Sequence, residues 1–370
     1  MAAIYYHIPF CKRICSYCDF YRTARLSTLP DLVSAMCREV RERRDYLRGE
    51  PILTRYFGGG TPSLCSIEQL SMLLRTTEEL FDCSQVEETT LEANPDDLTA
   101  EYLAGLRSVG IDRLSIGIQS FDDACLQLMN RRHTAAEAEA AVLRAQDAGF
   151  DNLTIDLIFG VPGFGGASFE RSVERALALN VQHISAYLLS IEPRTRFGLM
   201  RDRGELVETP DEVCEAEFRY LHEQLTAAGF EHYEISNFAR KGCRARHNSS
   251  YWQGVPYLGI GPAAHSFDGE SRQWNVASVE RYLAGEAPEV EQLSETDRIN
   301  EFLMTRLRTA EGFSLADFEA RFGLLRRREL EREVQRQCAA EVLVCAGDRV
   351  RILPDEMLIS DRVIAALFVD

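Results

Sequence analysis

Three cysteines stand close together near the start of the chain, in YYHIPFCKRICSYCDFY (residues 5–21): Cys11, Cys15 and Cys18. The chain holds eleven cysteines in all, an odd number that argues against a complete disulfide framework and for reduced thiols. Clustered thiolates bind metal. Structural zinc takes four N or S ligands, and here His7 or Asp19 would have to complete the set. An iron–sulfur cubane on three thiolates instead leaves one iron without a protein ligand, and an open metal position is where a small molecule binds. The other eight, Cys37, Cys65, Cys83, Cys125, Cys214, Cys243, Cys338 and Cys345, are scattered and read as small core hydrophobes.

Further polar or flexible residues recur at the ends of extended runs. GGGTP (58–62) lets backbone approach a ligand and offers N–H groups to a carboxylate. Glu92, Gln119 and Asp156 lie at or near the ends of later runs. In parallel α/β proteins ligands sit at the carboxyl ends of strands, so these residues and the cysteines point to one rim of one sheet.

The elements that must position them are legible in the hydrophobic pattern. Six runs read as strands: IYYHIP (4–9), ILTRYF (52–57), ETTLEAN (88–94), RLSIGIQ (113–119), LTIDLIFG (153–160) and HISAYLL (183–189). Helix-period segments separate them, with Ser66 and Gln69 as a capping box, Thr99 as an N-cap, and Gly110 and Gly149 where C-caps belong. Alternation of this kind predicts a parallel sheet whose near-continuous apolar strands are buried on both faces. Six units are too few for a complete eightfold barrel, so periodicity leaves an open doubly wound sheet and a partial (β/α)6 barrel side by side.

After residue 190 the rhythm changes. A helix over 211–228 leads to EHYEISNF and a glycine- and proline-punctuated region, 241–270. Helices and a hairpin in VLVCAGDRVRILP then close the chain. This predicts a sheet domain with its extension over 1–290 and a small helical, winged-helix-like domain over 291–370, with a packing or interaction role. A net charge of −17 argues against nucleic acid as a partner. No apolar run reaches membrane-spanning length, and the start lacks the regions of a secretory signal, so the expectation is a cytoplasmic protein without stable membrane insertion.

C-x3-C-x2-C after a first strand resembles the radical S-adenosylmethionine (SAM) superfamily. YHIPFCKRICSYCDF, FGGGTPS, LEANP, SIGIQSFD, LMNRRHT, IDLIFGVPG and GIGPAAHS together resemble its oxygen-independent coproporphyrinogen oxidase group. The resemblance implies the partial (β/α)6 TIM-like barrel. It also implies a [4Fe–4S] cluster on Cys11, Cys15 and Cys18, with the unique iron chelated by the amino and carboxylate groups of SAM. Tyr5 and Tyr17 would flank the cluster, and Gly59, Gly60 and Thr61 would hold the methionyl end. Glu92, Gln119, Arg131 and Asp156 would supply polar contacts, and Ser190 and His265 match by spacing alone. Two departures from the oxidases stand out: Phe20 replaces a further cysteine, and the first strand begins at residue 4, without their long N-terminal extension.

HNSSYW (247–252) matches instead an element of the heme-chaperone branch. That resemblance implies heme binding by His247, Asn248, Tyr251 and Trp252 and delivery to acceptor proteins, including membrane respiratory enzymes. The alternative is an oxidoreductase that decarboxylates a porphyrinogen by SAM-derived radical chemistry. On the residues themselves, His247 offers an imidazole of the kind that ligates heme iron. Tyr251, Trp252 and Tyr257 offer faces for a macrocycle, and Arg240, Lys241, Arg244 and Arg246 suit its propionates. A packed aromatic turn beside a solvated basic loop, or Cys243 as the iron ligand, are the competing readings. His7, His133, His183, His222 and His232 read as structural or exposed.

Overall fold

The computed structural model describes residues 1–369. Strands β1 (Ala2–Ile8), β2 (Ile52–Gly59), β3 (Glu88–Ala93), β4 (Arg113–Gln119), β5 (Asn152–Phe159) and β6 (His183–Leu188) lie side by side in that order, all parallel. Between them run α1 (Leu29–Glu42), α2 (Ile67–Glu78), α3 (Ala100–Ser108), a short α4 (Asp123–Leu128) with α5 (Ala135–Asp147), and α6 (Ala167–Ala178). The local signals do what their chemistry suggests. Ser66 and Gln69 close a reciprocal capping box on α2, Thr99 accepts from the Tyr102 N–H, and Gly110 and Gly149 take left-handed φ after their helices.

The strands obey a period of two, and the two faces differ in kind. Outward residues are apolar: Ile4, Tyr6 and Ile8 on β1, Phe57 on β2, Ile116 and Ile118 on β4, Ile155 and Leu157 on β5, all buried in one core with the helices. Tyr6 stacks on Phe57 at 4.4 Å and its hydroxyl meets Thr77 of α2. Inward residues are polar or aromatic, and register aligns them: Tyr5 opposite Tyr56, Glu92 opposite Ser115, Gly117 opposite Asp156. The strands are therefore covered on both faces, as expected. Their inner layer, though, is a polar lining and not a second hydrophobic core.

Short strands extend the sheet at both edges, to twelve in all. After α7 (Arg196–Asp202) and α8 (Asp211–Ala227), the hairpin β7 (Glu231–Glu234) and β8 (Asn237–Ala239) pairs antiparallel onto β6. The helix α9 (Arg246–Trp252) then returns the chain to the opposite edge. There β9 (Tyr257–Ile260) runs parallel to β1, and β10 (His265–Phe267), β11 (Ser271–Trp274), α10 (Val279–Leu283) and β12 (Glu289–Gln292) follow. These three- and four-residue strands, punctuated by glycine and proline, are too short for a periodicity argument to find.

The C-terminal part holds α11 (Glu295–Leu307), β13 (Phe313–Ser314), α12 (Leu315–Ala339), the hairpin β14 (Val344–Ala346) and β15 (Arg349–Arg351), and α13 (Ser360–Ala365). Its three strands form their own sheet, and Phe302, Phe313, Phe318 and Phe322 pack edge to face beside it. α12 is broken at Gly323, whose φ of 84° suits glycine. Among the described residues no helix is long and apolar enough to cross a membrane.

Candidate functional site

Two cavities open beside the first strand. One, of about 620 Å³, is lined by Cys11, Cys15 and Cys18 together with Tyr17, Gly59, Gly60, Thr61, Glu92, Gln119, Arg131, Asp156 and Ser190. Twelve residues singled out in the sequence thus meet around one space. The loop after β1 brings the cysteines over the ends of β2–β6. It is anchored from below, where the Gly60 N–H donates to the Ile8 carbonyl at 2.9 Å and the Thr61 hydroxyl lies 3.5 Å from Cys11 Sγ. From the side, Arg131 donates to Cys15 Sγ at 3.2 Å, to Asn94 Oδ1 at 2.6 Å and to the Gly117 carbonyl.

The electrostatics of this cavity favour a cation. Glu92 and Asp156 are inward-facing carboxylates. Burial pushes Glu92 up to about 7, aided by the Asp156 charge and opposed by the Tyr56 hydrogen bond. Burial likewise lifts Asp156 to about 6, against hydrogen bonds from Ser185 and Ser115. Glu92 also accepts from the Tyr56 hydroxyl at 2.8 Å and the Gly59 N–H at 3.1 Å, so it ties the glycine loop to β3. Gln119 ends β4 after a register shift with φ of 73°, a conformation that non-glycine residues adopt rarely and mostly where structure around them insists.

The residues fit the cofactors that the sequence implies. The three thiols share a cavity wall. Burial raises Cys11 and Cys18 above the ordinary thiol range, so ligation there releases protons. Arg131 keeps a buried Nε without a partner. A ligand bearing a sulfonium and an ammonium would relieve the two carboxylates. His7, the candidate fourth zinc ligand, is placed elsewhere, with its Nδ1 3.0 Å from the Tyr5 hydroxyl on the second cavity's wall. Among the described residues no three His, Cys, Asp or Glu side chains converge for a single ion; a four-iron cluster, whose thiolates bind different irons, needs a wider spacing.

Residues that sequence reasoning passed over complete the wall: Asn94, Ser115 and Tyr187. Asn94 bridges Arg131 and Thr61. Ser115 donates to Asp156 at 3.2 Å. Parity would have found them, since Ser115 is the register partner of Glu92 and Tyr187 stands two residues beyond Ser185, the partner of Asp156.

The second cavity, of about 890 Å³, lies between β1, the β9–β11 edge and the C-terminal helices. Tyr5 and His265, expected with the SAM contacts, line this space and not the first. So do Tyr251 and Tyr257. Asp19 and Phe20 line both cavities and form their common wall.

The HNSSYW element is α9, packed beneath the inner face at the start of β2 and β3. Glu88 caps it, accepting from the Arg246 and His247 N–H groups at 3.1 and 3.0 Å. The His247 ring is buried against Tyr56 at 4.9 Å, with Nδ1 2.9 Å from the Thr54 hydroxyl and Nε2 2.8 Å from the Tyr251 hydroxyl. Burial pushes this imidazole down to about 3. Both ring nitrogens are thus occupied, and neither cavity is lined by His247. Asn248 is half-buried, and Trp252 lies under Arg308 with its ring N–H buried and unpaired. The basic run lies away from both cavities: Arg244 pairs with Glu231 and Glu311, Arg246 with Glu87, and Arg240 bonds Asn180.

Comparison with known proteins gives the family and the fold. Residues 5–176 match the Radical SAM superfamily and residues 293–359 the HemN C-terminal domain. The chain is 36% identical over 323 residues to the heme chaperone HemW of Lactococcus lactis, covering 86% of this chain and 84% of that one. It is 35% identical over 374 residues to the heme chaperone HemW of Mycobacterium tuberculosis, covering 98% and 94%. Its fold is that of Escherichia coli coproporphyrinogen III oxidase HemN, a radical SAM enzyme, with a TM-score of 0.86 at 21% identity over 100% of this chain and 90% of that one. The chain belongs to the radical SAM superfamily and, within its oxygen-independent coproporphyrinogen oxidase-like group, to the family of the heme chaperone HemW.

Proposed function

We propose that this protein binds heme and passes it to acceptor proteins, membrane respiratory enzymes among them, while carrying a [4Fe–4S] cluster on Cys11, Cys15 and Cys18 completed by exchangeable SAM. The observation that carries the cofactor half is the meeting of three thiols, a glycine loop and two carboxyl groups raised by burial in one cavity. Family membership carries the heme half. When bound, the cluster and SAM supply an iron centre whose open position the cofactor fills.

The chain's own residues do the rest. Gly59, Gly60 and Thr61 present backbone to the methionyl group. Glu92 and Asp156 face the cationic end, and Arg131 braces Cys15. Tyr17, Gln119 and Ser190 line the same cavity. Phe20, at the place where the oxidases carry another cysteine, favours the chaperone over the oxidoreductase reading.

Hemin titration of the purified chain tests the proposal. Binding well above that of an unrelated acidic protein is expected, and equal binding would remove its support. Anaerobic reconstitution should give a brown chromophore that is lost on replacing Cys11, Cys15 or Cys18 by alanine and kept on replacing Cys37 or Cys65. Reduced protein with SAM and coproporphyrinogen III should yield no protoporphyrinogen; its formation would restore the oxidoreductase.

A further inference from the structure

The second cavity gathers several guanidinium groups of an acidic chain into one lining. The chain carries −17, and many of its arginines are paired with carboxylates. Arg298 and Arg306 of α11 and Arg321 of α12 all line this one cavity, and among the described residues none of them has a carboxylate within ion-pair distance. Arg306 and Arg321 both lie over a single ring, Phe302, at 5.7 and 5.4 Å. Like charges are thereby held together at an apolar surface. Such a cluster is stabilised by an anion that reaches several guanidinium groups at once.

The same cavity is lined by an imidazole that no described residue engages through a hydrogen bond. His265 is exposed to the cavity, neither ring nitrogen has a hydrogen-bond partner, and its face rests on Trp274 at 6.0 Å and 27°. The turn that aims it contains Ala263 at φ 61°, a left-handed conformation costly for a residue with a side chain. The other imidazole on this wall, His7, is buried, bonded to Tyr5, and wedged so tightly on Gly59 that a Cβ there would stand 2.7 Å from its ring. The same lining carries the aromatic rings of Tyr257, Phe267 and Phe322.

Resting on the heme-chaperone reading, we propose that iron protoporphyrin is seated in this cavity, its propionates held by Arg298, Arg306 and Arg321 and its iron ligated by His265. His247 acts at a distance, as a positioning residue that fixes α9 and hence Tyr251. A volume of about 890 Å³ suits a macrocycle, since ligand pockets run from roughly 300 to 1,000 Å³. An isolated imidazole, guanidinium partners for two propionates and aromatic faces are the three things this ligand needs. The proposal also gives the C-terminal helices a task, since they supply every propionate contact.

The full-length chain is titrated with hemin, with iron-free protoporphyrin IX and with its dimethyl ester. Two variants are compared, His265→Ala and the double variant Arg298→Ala/Arg321→Ala; all three positions are exposed, and circular dichroism checks the fold. The double variant should weaken hemin and protoporphyrin by about tenfold or more, the scale of losing charge-assisted hydrogen bonds, and leave the ester unchanged. His265→Ala should alter the Soret band of bound hemin, with restoration by added imidazole, and leave protoporphyrin binding as it was. Wild-type protein that binds hemin while both variants match it in affinity and spectrum would overturn this location and ligand, yet spare the chaperone reading. Wild-type protein that binds no hemin would sink both.

Discussion

Gly60 shows how a residue can be legible for one reason and needed for another. The sequence suggests that the triple glycine lets a ligand come close. The structure shows protein already there: a Cβ on Gly60 would stand 2.8 Å from the Phe10 carbonyl oxygen and the Pro9 carbonyl carbon. Those are backbone atoms of the segment that joins β1 to Cys11, so they cannot step aside singly. Gly60→Ala should cost about 1–3 kcal/mol, as overpacking does, and push the cysteine loop off β2. Thermal melting should show the loss, and anaerobic reconstitution should show reduced iron content; normal values for both would mean that the two strand ends part freely. Glu92, Gln119 and Asp156 were readable because strand-end position is visible in a one-dimensional pattern. The arginines of the second cavity were not, since Arg298, Arg306 and Arg321 sit among ordinary helix-surface charges and only tertiary packing removes their partners.

At the scale of elements, α9 carries the HNSSYW motif but spends its histidine on holding itself in place. Glu88, itself buried beside Arg113 at 3.8 Å, caps the helix, and His247 bridges β2 to Tyr251. His247→Ala removes two buried hydrogen bonds and a stacked ring, so a destabilisation of about 2–4 kcal/mol is expected. The melting temperature should fall by several degrees, and hemin bound by the remaining folded protein should keep its wild-type Soret band. A changed band at unchanged stability would assign the iron to His247 after all. The six parallel strands and their helices were legible because long alternating segments carry a strong period. The edge strands β7 to β12 were not, since their pairing is set by partners far away in sequence.

Across the whole molecule, burial has left an unusual set of neutral imidazoles. His7, His133, His232 and His247 are pushed down to about 4, 4, 3 and 3, and His183 well below its ordinary value, each by burial first. A depressed histidine takes its proton in the unfolded chain from about pH 6.5 downward and in the folded chain only much lower, so its contribution is lost as pH falls. The raised carboxylates Glu92 and Glu234, both at about 7, and Asp156 at about 6 act in the opposite sense. Among the large shifts five groups stand against three, and the smaller ones fall on both sides, with His265 lowered and Asp96, Asp112 and Glu217 raised, so the histidines set the direction. Chemical denaturation of the cluster-free protein should therefore show stability declining from pH 6.5 towards 4.5; a flat or rising profile would contradict these burials.

The partition made by Asp19 and Phe20 has a consequence for traffic through the molecule. Phe20, 71% exposed, belongs to the same short loop as the three cysteines. Whatever settles in either chamber leans on the same two side chains. If one guest demands that they shift, its neighbour's affinity changes by the identical factor in return. Loading the smaller room and emptying the larger one are then a single negotiation across a party wall.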